Sequence, residues 1–141
     1  MKIAIIGCGY VGTKTAKLWS QNGHQVTVTT TTPERVSELK NITSQVVVMK
    51  GNDPEAMQDL LQNQEIVLLS VGFRSHIGME YKQTYLETAQ TLVATLKKAP
   101  NIQQVIYTGS YSVYGDKNGE WVDENSPVTP ASEDGTFFIP N

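Results

Sequence analysis

Three glycines near the amino terminus have the spacing of a phosphate-binding loop. Gly7, Gly9 and Gly12 form the pattern Gly-x-Gly-x-x-Gly directly after an apolar run of four residues. Between a strand and a helix, the first glycine permits a tight turn, the second lets the backbone approach a pyrophosphate, and the third lets helix and strand pack closely. N–H groups at the helix start then bind the phosphates. The pattern predicts a dinucleotide site that includes Tyr10 and Val11, and the alternative is a glycine-rich turn without a ligand.

Hydroxyl side chains follow the second apolar run, where dinucleotide-binding proteins usually have an acid. Residues 29–32 are all threonine, and no acid appears before Glu34. An acid here binds the adenosine ribose hydroxyls of NAD. Thr30, Thr31 and the cation Arg35 would instead accommodate the 2′-phosphate of NADP. The pattern favours NADP over NAD as the cofactor, unless Arg35 is an ordinary solvent-facing helix residue.

A second hydroxyl-rich segment follows the last apolar run. It occupies residues 108–115 and reads TGSYSVYG. In open α/β sheets, ligands bind beyond the carboxyl ends of the strands. We therefore expect Ser110 to lie toward the nicotinamide end of a bound cofactor, where its hydroxyl could bond a substrate carbonyl or alcohol. The alternative is a turn that only ends the strand.

Strands and helices must alternate to bring these segments together. Apolar or β-branched runs predict five strands, at residues 3–6, 26–30, 46–49, 66–69 and 105–107. Helical spacing, caps and stops predict helices from Val11 to a stop at Asn22, over 33–39, over 54–61 with Asp53 as N-cap, and over 80–99. Short connections with helical crossovers predict a parallel sheet with helices on both faces. The predicted class is α/β, a three-layer Rossmann-type parallel sheet with strand order 3-2-1-4-5.

Composition limits the class of protein. The 141 residues, 39% of them apolar, suffice for one packed core. Eleven Lys and Arg against fourteen Asp and Glu give a net charge of −3 without a basic block, which disfavours nucleic acid. Apolar runs reach four residues, against about 20 for a membrane span. One cysteine, Cys8, and two separated histidines exclude a disulfide framework and a zinc cluster. We expect a soluble, cytoplasmic protein with no nucleic-acid or membrane partner.

The motifs resemble those of the NAD(P)-dependent epimerase/dehydratase family, the extended or atypical short-chain dehydrogenases/reductases. That family pairs a glycine loop after the first strand with a Ser-Ser-x-x-x-Val-Tyr-Gly element after the fifth, and Val113, Tyr114 and Gly115 fit the end of this element. The resemblance extends from residue 1 to about residue 130. It implies that Ser110 is the active-site serine, although Gly109 stands where Ser or Thr is commoner.

The same resemblance implies further cofactor contacts after the third, fourth and fifth strands. These are Asp53, Ser70, Val71, Gly72, Arg74 and Thr108. Asp53 matches an acid that contacts the adenine, although helix capping explains this residue equally well. Tyr85 stands where many family members have an asparagine.

The family's acid/base pair is not found after the fifth predicted strand. In the family, a Tyr-x-x-x-Lys pair on the next helix moves the proton, and no tyrosine from Tyr107 onward has a lysine four residues later. We therefore expect residues 1–141 to be an incomplete NAD(P)-binding domain, truncated after strand five and without a C-terminal substrate domain, with little or no turnover. The substrate would be an unknown small molecule, for example a sugar nucleotide. An unpaired fifth strand would leave a sheet edge at which a homodimer could form.

Two other classes of protein share these features. A non-catalytic dinucleotide-sensing module would use the same glycine loop, and the missing pair favours it. The nucleotide domain of a sugar-nucleotide dehydrogenase also begins with such a loop. Those enzymes, however, lack the Ser-x-x-Val-Tyr-Gly element and usually keep an acid after the second strand.

Overall fold

Five parallel strands form one sheet in the first of two compact units. The computed structural model describes residues 1–73 and 80–136, and the units are Met1–Thr108 and Gly109–Asn141. The strands are β1 (Lys2–Ile6), β2 (Gln25–Thr30), β3 (Gln45–Val48), β4 (Ile66–Leu69) and β5 (Gln104–Tyr107). Their hydrogen-bonded order is β3-β2-β1-β4-β5, and every neighbouring pair is parallel. The predicted strand order is confirmed.

A helix follows each strand along the chain. The helices are α1 (Tyr10–Gln21), α2 (Val36–Leu39) after a 3₁₀ turn at Pro33–Arg35, α3 (Pro54–Leu61), α4 (Thr88–Leu96) and, in the second unit, α5 (Glu133–Thr136). The α3 helix has the predicted bounds and cap, because the Asp53 carboxylate accepts hydrogen bonds from the N–H groups of Glu55 and Ala56 at 3.0 and 3.1 Å. Over the two described ranges, no helix has the length and apolar composition of a membrane span.

Alternate residues of the central strands pack on opposite faces of the sheet. One face buries Ala4, Ile6, Val67 and Leu69 against side chains of α3 and α4, including Met57, Leu61 and Leu92. The other face buries Ile5, Val28 and Leu68 against Ala16 of α1 and Leu39 of α2. Each fully buried Val, Leu, Ile or Met side chain contributes about 1.5–3 kcal/mol. The sheet is therefore the middle layer of three, as predicted.

The helix predicted over residues 80–99 runs without a break over 81–96, but it is not α-helical throughout. Its first part contains a π-helical segment, Gln83–Glu87, and only Thr88–Leu96 forms α4. The hydroxyl of Thr88 donates to the carbonyl of Gln83 at 3.2 Å, five residues earlier. A side-chain donor inserted into the helical ladder is one cause of such irregularity, and π-helical turns are frequent at functional sites.

The second unit consists of short turns that pack on one another. A 3₁₀ helix spans Tyr111–Tyr114, and Thr129 bonds the carbonyls of Val113 and Tyr114 through its N–H and hydroxyl, both at 2.9 Å. Gly115 follows at φ +65°, where a Cβ would overlap the Thr129 carbonyl. A glycine is therefore required at position 115. The described part of this unit contains no strand.

Candidate functional site

A pocket of about 260 Å³ opens at the carboxyl ends of β1 to β4. It is lined by residues 6–10 after β1, residues 29–32 and Arg35 after β2, Met49 and Gly51 after β3, residues 71–73 after β4, and Thr84 and Thr88. Arg35 is the one charged side chain among the described lining residues. The pocket therefore presents a glycine loop, hydroxyl groups and a single cation to a ligand.

Two glycines of the loop are required by the fold itself. Gly7 has φ +91°, and a Cβ there would lie 2.6 Å from the carbonyl oxygen of Ser70. At Gly12, a Cβ would overlap the carbonyl oxygen of Gly7. The loop is fixed to β2 because Thr29 accepts from the N–H of Gly7 through its hydroxyl, at 3.1 Å, and from the N–H of Cys8 through its carbonyl, at 3.2 Å. The predicted turn and close packing at Gly7 and Gly12 thus have direct structural causes.

Gly9 differs from the other two glycines of the loop. Its φ of −84° lies outside the left-handed region, and a Cβ would meet no atom within 4 Å. Gly9 precedes α1, which has no side-chain cap and no acid in its first turn. The N–H groups at the start of a helix need acceptors, and Gly9 and Tyr10, at the start of α1, line the pocket. No neighbouring atom therefore requires a glycine at position 9.

The residues after β2 form the other end of the pocket. The hydroxyl of Thr30 accepts from the N–H of Thr32 at 3.1 Å. Arg35 donates from Nη1 to the carbonyl oxygen of Cys8, and from Nε and Nη2 to the Glu38 carboxylate. Because its guanidinium bonds the glycine loop and lines the pocket, Arg35 is not an ordinary solvent-facing helix residue.

The structure brings eight of the predicted site residues into one pocket wall. They are Gly7, Gly9, Tyr10, Thr30, Thr31, Arg35, Val71 and Gly72. The predicted segments after β1, β2 and β4 therefore converge at one place, as the sheet topology requires.

Other predicted residues lie outside that wall. Val11 and Gly12 belong to the first turn of α1, and Asp53 is occupied as the cap of α3. Ser70 continues the sheet through its N–H to the carbonyl of Ile6, at 2.8 Å. Thr108 bonds the Leu69 carbonyl through its N–H and hydroxyl. The hydrogen bonds of Asp53, Ser70 and Thr108 in this structure therefore stabilise the fold.

Two predicted residues remain. Arg74 falls outside the described residues. Ser110 belongs to the second unit, where its Oγ accepts from the N–H of Ser112 at 3.2 Å and lies 2.8 Å from the Ser112 hydroxyl. Within that unit, Ser110 begins the 3₁₀ helix Tyr111–Tyr114.

Sequence reasoning missed the part of the pocket formed by the helix after β4. Thr84 and Thr88 line it, and Gly51 lies so close to Thr88 that a Cβ would overlap its side chain. Phe73 also lines it, and its N–H donates to the hydroxyl of Tyr85 at 3.1 Å. Gly51, which follows β3, was the one sequence signal for this part of the pocket. The π-helical segment leaves no periodic pattern from which the directions of the Thr84 and Thr88 side chains could be predicted.

The pKa shifts in this unit do not point to an activated acid or base. Burial raises the pKa of the Cys8 thiol, and the nearby Thr13 hydroxyl and Arg35 charge offset this only in part. Burial, together with the Tyr85 hydroxyl, raises the pKa of Tyr107. Both side chains therefore stay protonated at neutral pH, which makes Cys8 an inert part of the loop.

A tyrosine with a lysine four residues later does occur elsewhere in the chain. Tyr10 and Lys14 have this spacing, but they lie on α1 and both are exposed. They do not replace the pair that the family resemblance places after the fifth strand.

Comparison with known proteins agrees with the geometry of the pocket. The family model described as NAD(P)H-binding matches residues 7–133, which begin at the glycine loop. The chain belongs to the NAD(P)H-binding family. Protein YeeZ of Escherichia coli (strain K12) is 33% identical over 139 residues, covering 95% of this chain and 49% of that protein. The chain therefore spans about half the length of this relative.

Solved structures share the fold of this NAD(P)H-binding family member. A short-chain dehydrogenase/reductase superfamily protein from Agrobacterium tumefaciens with bound NAD has a TM-score of 0.79 at 20% identity, over 98% of this chain and 42% of that chain. The UDP-Glc/GlcNAc 4-epimerase of Campylobacter jejuni has a TM-score of 0.78 at 17% identity, over 97% of this chain and 45% of that chain. The predicted Rossmann-type fold and the resemblance to epimerases and short-chain dehydrogenases are confirmed.

Proposed function

We propose that the pocket beside the glycine loop holds the adenosine and diphosphate part of NADP or NAD. The observation that carries this proposal is the open space at Gly9. Gly7 and Gly12 are needed for chain geometry, whereas Gly9 has no neighbour that a side chain would disturb. A glycine without a packed neighbour, at the start of a helix that has no side-chain cap, suits a ligand that must approach the backbone closely.

Each part of the pocket has a role in this proposal. The N–H groups of Tyr10, Val11 and Gly12 bind the diphosphate at the start of α1. Thr30, Thr31 and Arg35 surround the adenosine ribose, while Val71 and Gly72 lie against the cofactor beyond β4. The bound dinucleotide supplies a hydride donor or acceptor, and this chain binds it and excludes water from it. Asp53, Ser70, Arg74 and Thr108 stay predictions from the family resemblance.

The residues after β2 favour NADP over NAD. The described lining residues include no acid that would repel a 2′-phosphate, and Arg35 faces the pocket. A guanidinium has five N–H donors, of which the structure engages three. Two therefore remain for a phosphate, whose bonds to Arg are strong because both groups are charged.

The reaction class follows from the family resemblance. The chain would belong to a hydride-transferring oxidoreductase or epimerase in which Ser110 orients a substrate oxygen, with a small carbonyl compound or sugar nucleotide as substrate. Without a Tyr-x-x-x-Lys pair after β5, residues 1–141 would bind cofactor with little or no turnover. The second candidate is a non-catalytic dinucleotide-sensing module, which would need only the cofactor site.

Self-association through β5 is a further part of the proposal. This strand pairs with β4 on one side, and no described strand pairs with its other side. Val105 and Tyr107 are both exposed. An unpaired edge of this kind is a template for a second chain. Sedimentation equilibrium tests the idea, and a monomer at high concentration would contradict it.

The Gly9→Val variant tests the cofactor site. Because a Cβ at Gly9 meets nothing, we expect the variant to fold, while the added side chain blocks the diphosphate. Calorimetric titration with NADP and NAD should show binding by the wild-type chain and its loss in Gly9→Val, with unchanged circular dichroism. Ala94→Val, a matched change on the exposed side of α4, is the control. Unchanged affinity in Gly9→Val would overturn the assignment of this loop.

A further inference from the structure

Arg35 is held by a carboxylate as well as by the glycine loop. The Arg35 Nε lies 3.3 Å from Glu38 Oε2, and Nη2 lies 3.2 Å from Glu38 Oε1, so that the carboxylate bonds one edge of the guanidinium. The Arg35 side chain is 20% exposed and the Glu38 side chain 60%. Glu38 thus stands on the solvent side of the one charged side chain in the described pocket wall.

The carboxylate has two effects on the guanidinium. It fixes the plane of the group, because both of its oxygens accept hydrogen bonds. It also cancels much of the positive charge that a ligand approaching from the pocket would meet. Opposite charges at hydrogen-bond distance act on a third charge as a dipole, and the field of a dipole falls off faster with distance than that of a free cation.

These effects fall unequally on the two dinucleotides. A 2′-phosphate carries a charge of about −1.5 to −2 at neutral pH. To reach the two remaining N–H groups of Arg35, this phosphate must come close to Glu38 as well. NAD has a hydroxyl at the same place and carries no such charge. The penalty from the carboxylate therefore applies to NADP and hardly at all to NAD.

We propose that Glu38 sets the choice between NADP and NAD, by neutralising Arg35 at the edge of the pocket. Glu38 is a specificity-determining residue that acts through Arg35 and is not itself a direct ligand. With Glu38 present, the pocket accepts both dinucleotides, and without its charge the pocket selects NADP more strongly. This inference rests on the proposed cofactor site.

The Glu38→Gln variant removes the charge and keeps the size and a hydrogen-bond acceptor for Arg35. At low ionic strength, we expect the Kd for NADP to fall about three- to tenfold, while the Kd for NAD changes less than twofold. This gain in NADP affinity should shrink at high salt, since screening weakens interactions between exposed charges. A residue with a purely structural role would not produce a gain that depends on both the phosphate and the salt.

Two further variants show that the effect passes through Arg35. Glu34→Gln removes an acid next to Arg35 in sequence that is exposed and forms no ion pair with it in the described structure. This change should alter both affinities less than twofold. In the double variant Arg35→Gln/Glu38→Gln, the gain in NADP affinity should vanish, because the cation that Glu38 neutralises is absent.

The titrations separate failure of this inference from failure of the cofactor site. If the wild-type chain binds neither dinucleotide, the proposed function and the inference both fail. If the wild-type chain binds dinucleotide but Glu38→Gln weakens NADP binding, or changes both affinities equally, then only the role of Glu38 is overturned. A rise in NADP affinity alone, lost without Arg35, supports it. Circular dichroism of each variant confirms that it folds.

Discussion

The hydroxyl oxygen of Tyr85 accepts a hydrogen bond from the backbone N–H of Phe73 at 3.1 Å. Tyr85 lies in the π-helical segment Gln83–Glu87, and Phe73 ends the short stretch after β4 that lines the pocket. The aromatic rings of Phe73 and Tyr85 also contact Tyr81, whose ring centroid lies 5.4 Å from that of Phe73 and 4.6 Å from that of Tyr85. A side chain on one element therefore fixes the backbone of the pocket wall on another.

The Tyr85→Phe variant should weaken dinucleotide binding about three- to tenfold. It removes the hydrogen bond that holds the backbone of Phe73 in the pocket wall, and one hydrogen bond contributes about 0.5–1.5 kcal/mol. The thermal midpoint should change little, since the freed N–H of Phe73 is exposed to water. Fluorescence titration and a thermal melt measure the two effects. Tyr111→Phe, at an exposed position of the second unit, is the matched control. Equal loss of affinity in both variants would contradict the role of Tyr85.

Alanine substitutions should rank the three loop glycines by stability. Gly12→Ala places a Cβ on the Gly7 carbonyl, and overpacking of this kind costs about 1–3 kcal/mol. Gly7→Ala adds backbone strain at φ +91° to a similar overlap. Gly9→Ala should leave the free energy of unfolding within about 0.5 kcal/mol of the wild type. Urea denaturation gives all three values, and a Gly9 variant as unstable as the other two would refute this ranking.

The Arg35→Gln variant should reduce NADP affinity more than NAD affinity. Hydrogen bonds to charged groups contribute about 1.5–3 kcal/mol, which corresponds to a loss of about tenfold or more for NADP. A smaller loss is expected for NAD, because Arg35 also bonds the Cys8 carbonyl and so holds the loop. Lys40→Gln removes a positive charge from an exposed position just after α2 and serves as the control. The ratio of the two dissociation constants decides the outcome.

Stability should depend on pH through Cys8. Burial raises the pKa of its thiol above the ordinary value of 9.0, so the folded state favours the protonated form. The free energy of unfolding should therefore be highest below pH 9.0 and fall as pH rises above it. Urea denaturation at pH 7 and pH 10 should show a smaller fall in Cys8→Ala than in the wild type. Identical falls in the free energy of unfolding of the two proteins would show that groups other than Cys8 dominate this pH dependence.

The chain should bind NADPH and catalyse hydride transfer weakly or not at all. A positioned acid/base is commonly worth about 10²–10⁴-fold in rate, and the Tyr-x-x-x-Lys pair is missing after β5. The absorbance of NADPH, followed with small carbonyl compounds and sugar nucleotides, measures turnover. Rapid turnover that disappears in Ser110→Ala would show that residues 1–141 suffice for catalysis and would contradict the sensing module.

Patterns along the sequence were enough for the sheet and for half of the pocket. The bounds of α3 and β4 follow from a proline, a capping acid and an apolar run, all of which act locally. The glycine loop was predictable for the same reason, because the backbone of Gly7 and Gly12 has few alternatives. Local rules therefore determine both the elements and the loop that joins β1 to α1.

The other half of the pocket depends on contacts between distant parts of the chain. Nothing near Arg35 in sequence indicates that its guanidinium bonds the carbonyl of Cys8. The positions of Thr84 and Thr88 depend on the π-helical segment, which shifts side chains relative to α-helical spacing. Asp53 shows the opposite problem, because one side chain fitted two roles and the structure uses it as a cap.

The central position of β1 also affects how the protein can fold. Ile3 pairs with Val26 on one side and with Ile66 on the other, so one edge of this apolar strand has no partner until β4 has left the ribosome. At about 5–20 residues per second, that interval lasts several seconds. Parallel pairings between distant segments are slow to form and leave apolar edges exposed meanwhile. Refolding from denaturant should therefore give a yield that falls with protein concentration, because strands of other unfolded chains compete with β4 for the edge of β1.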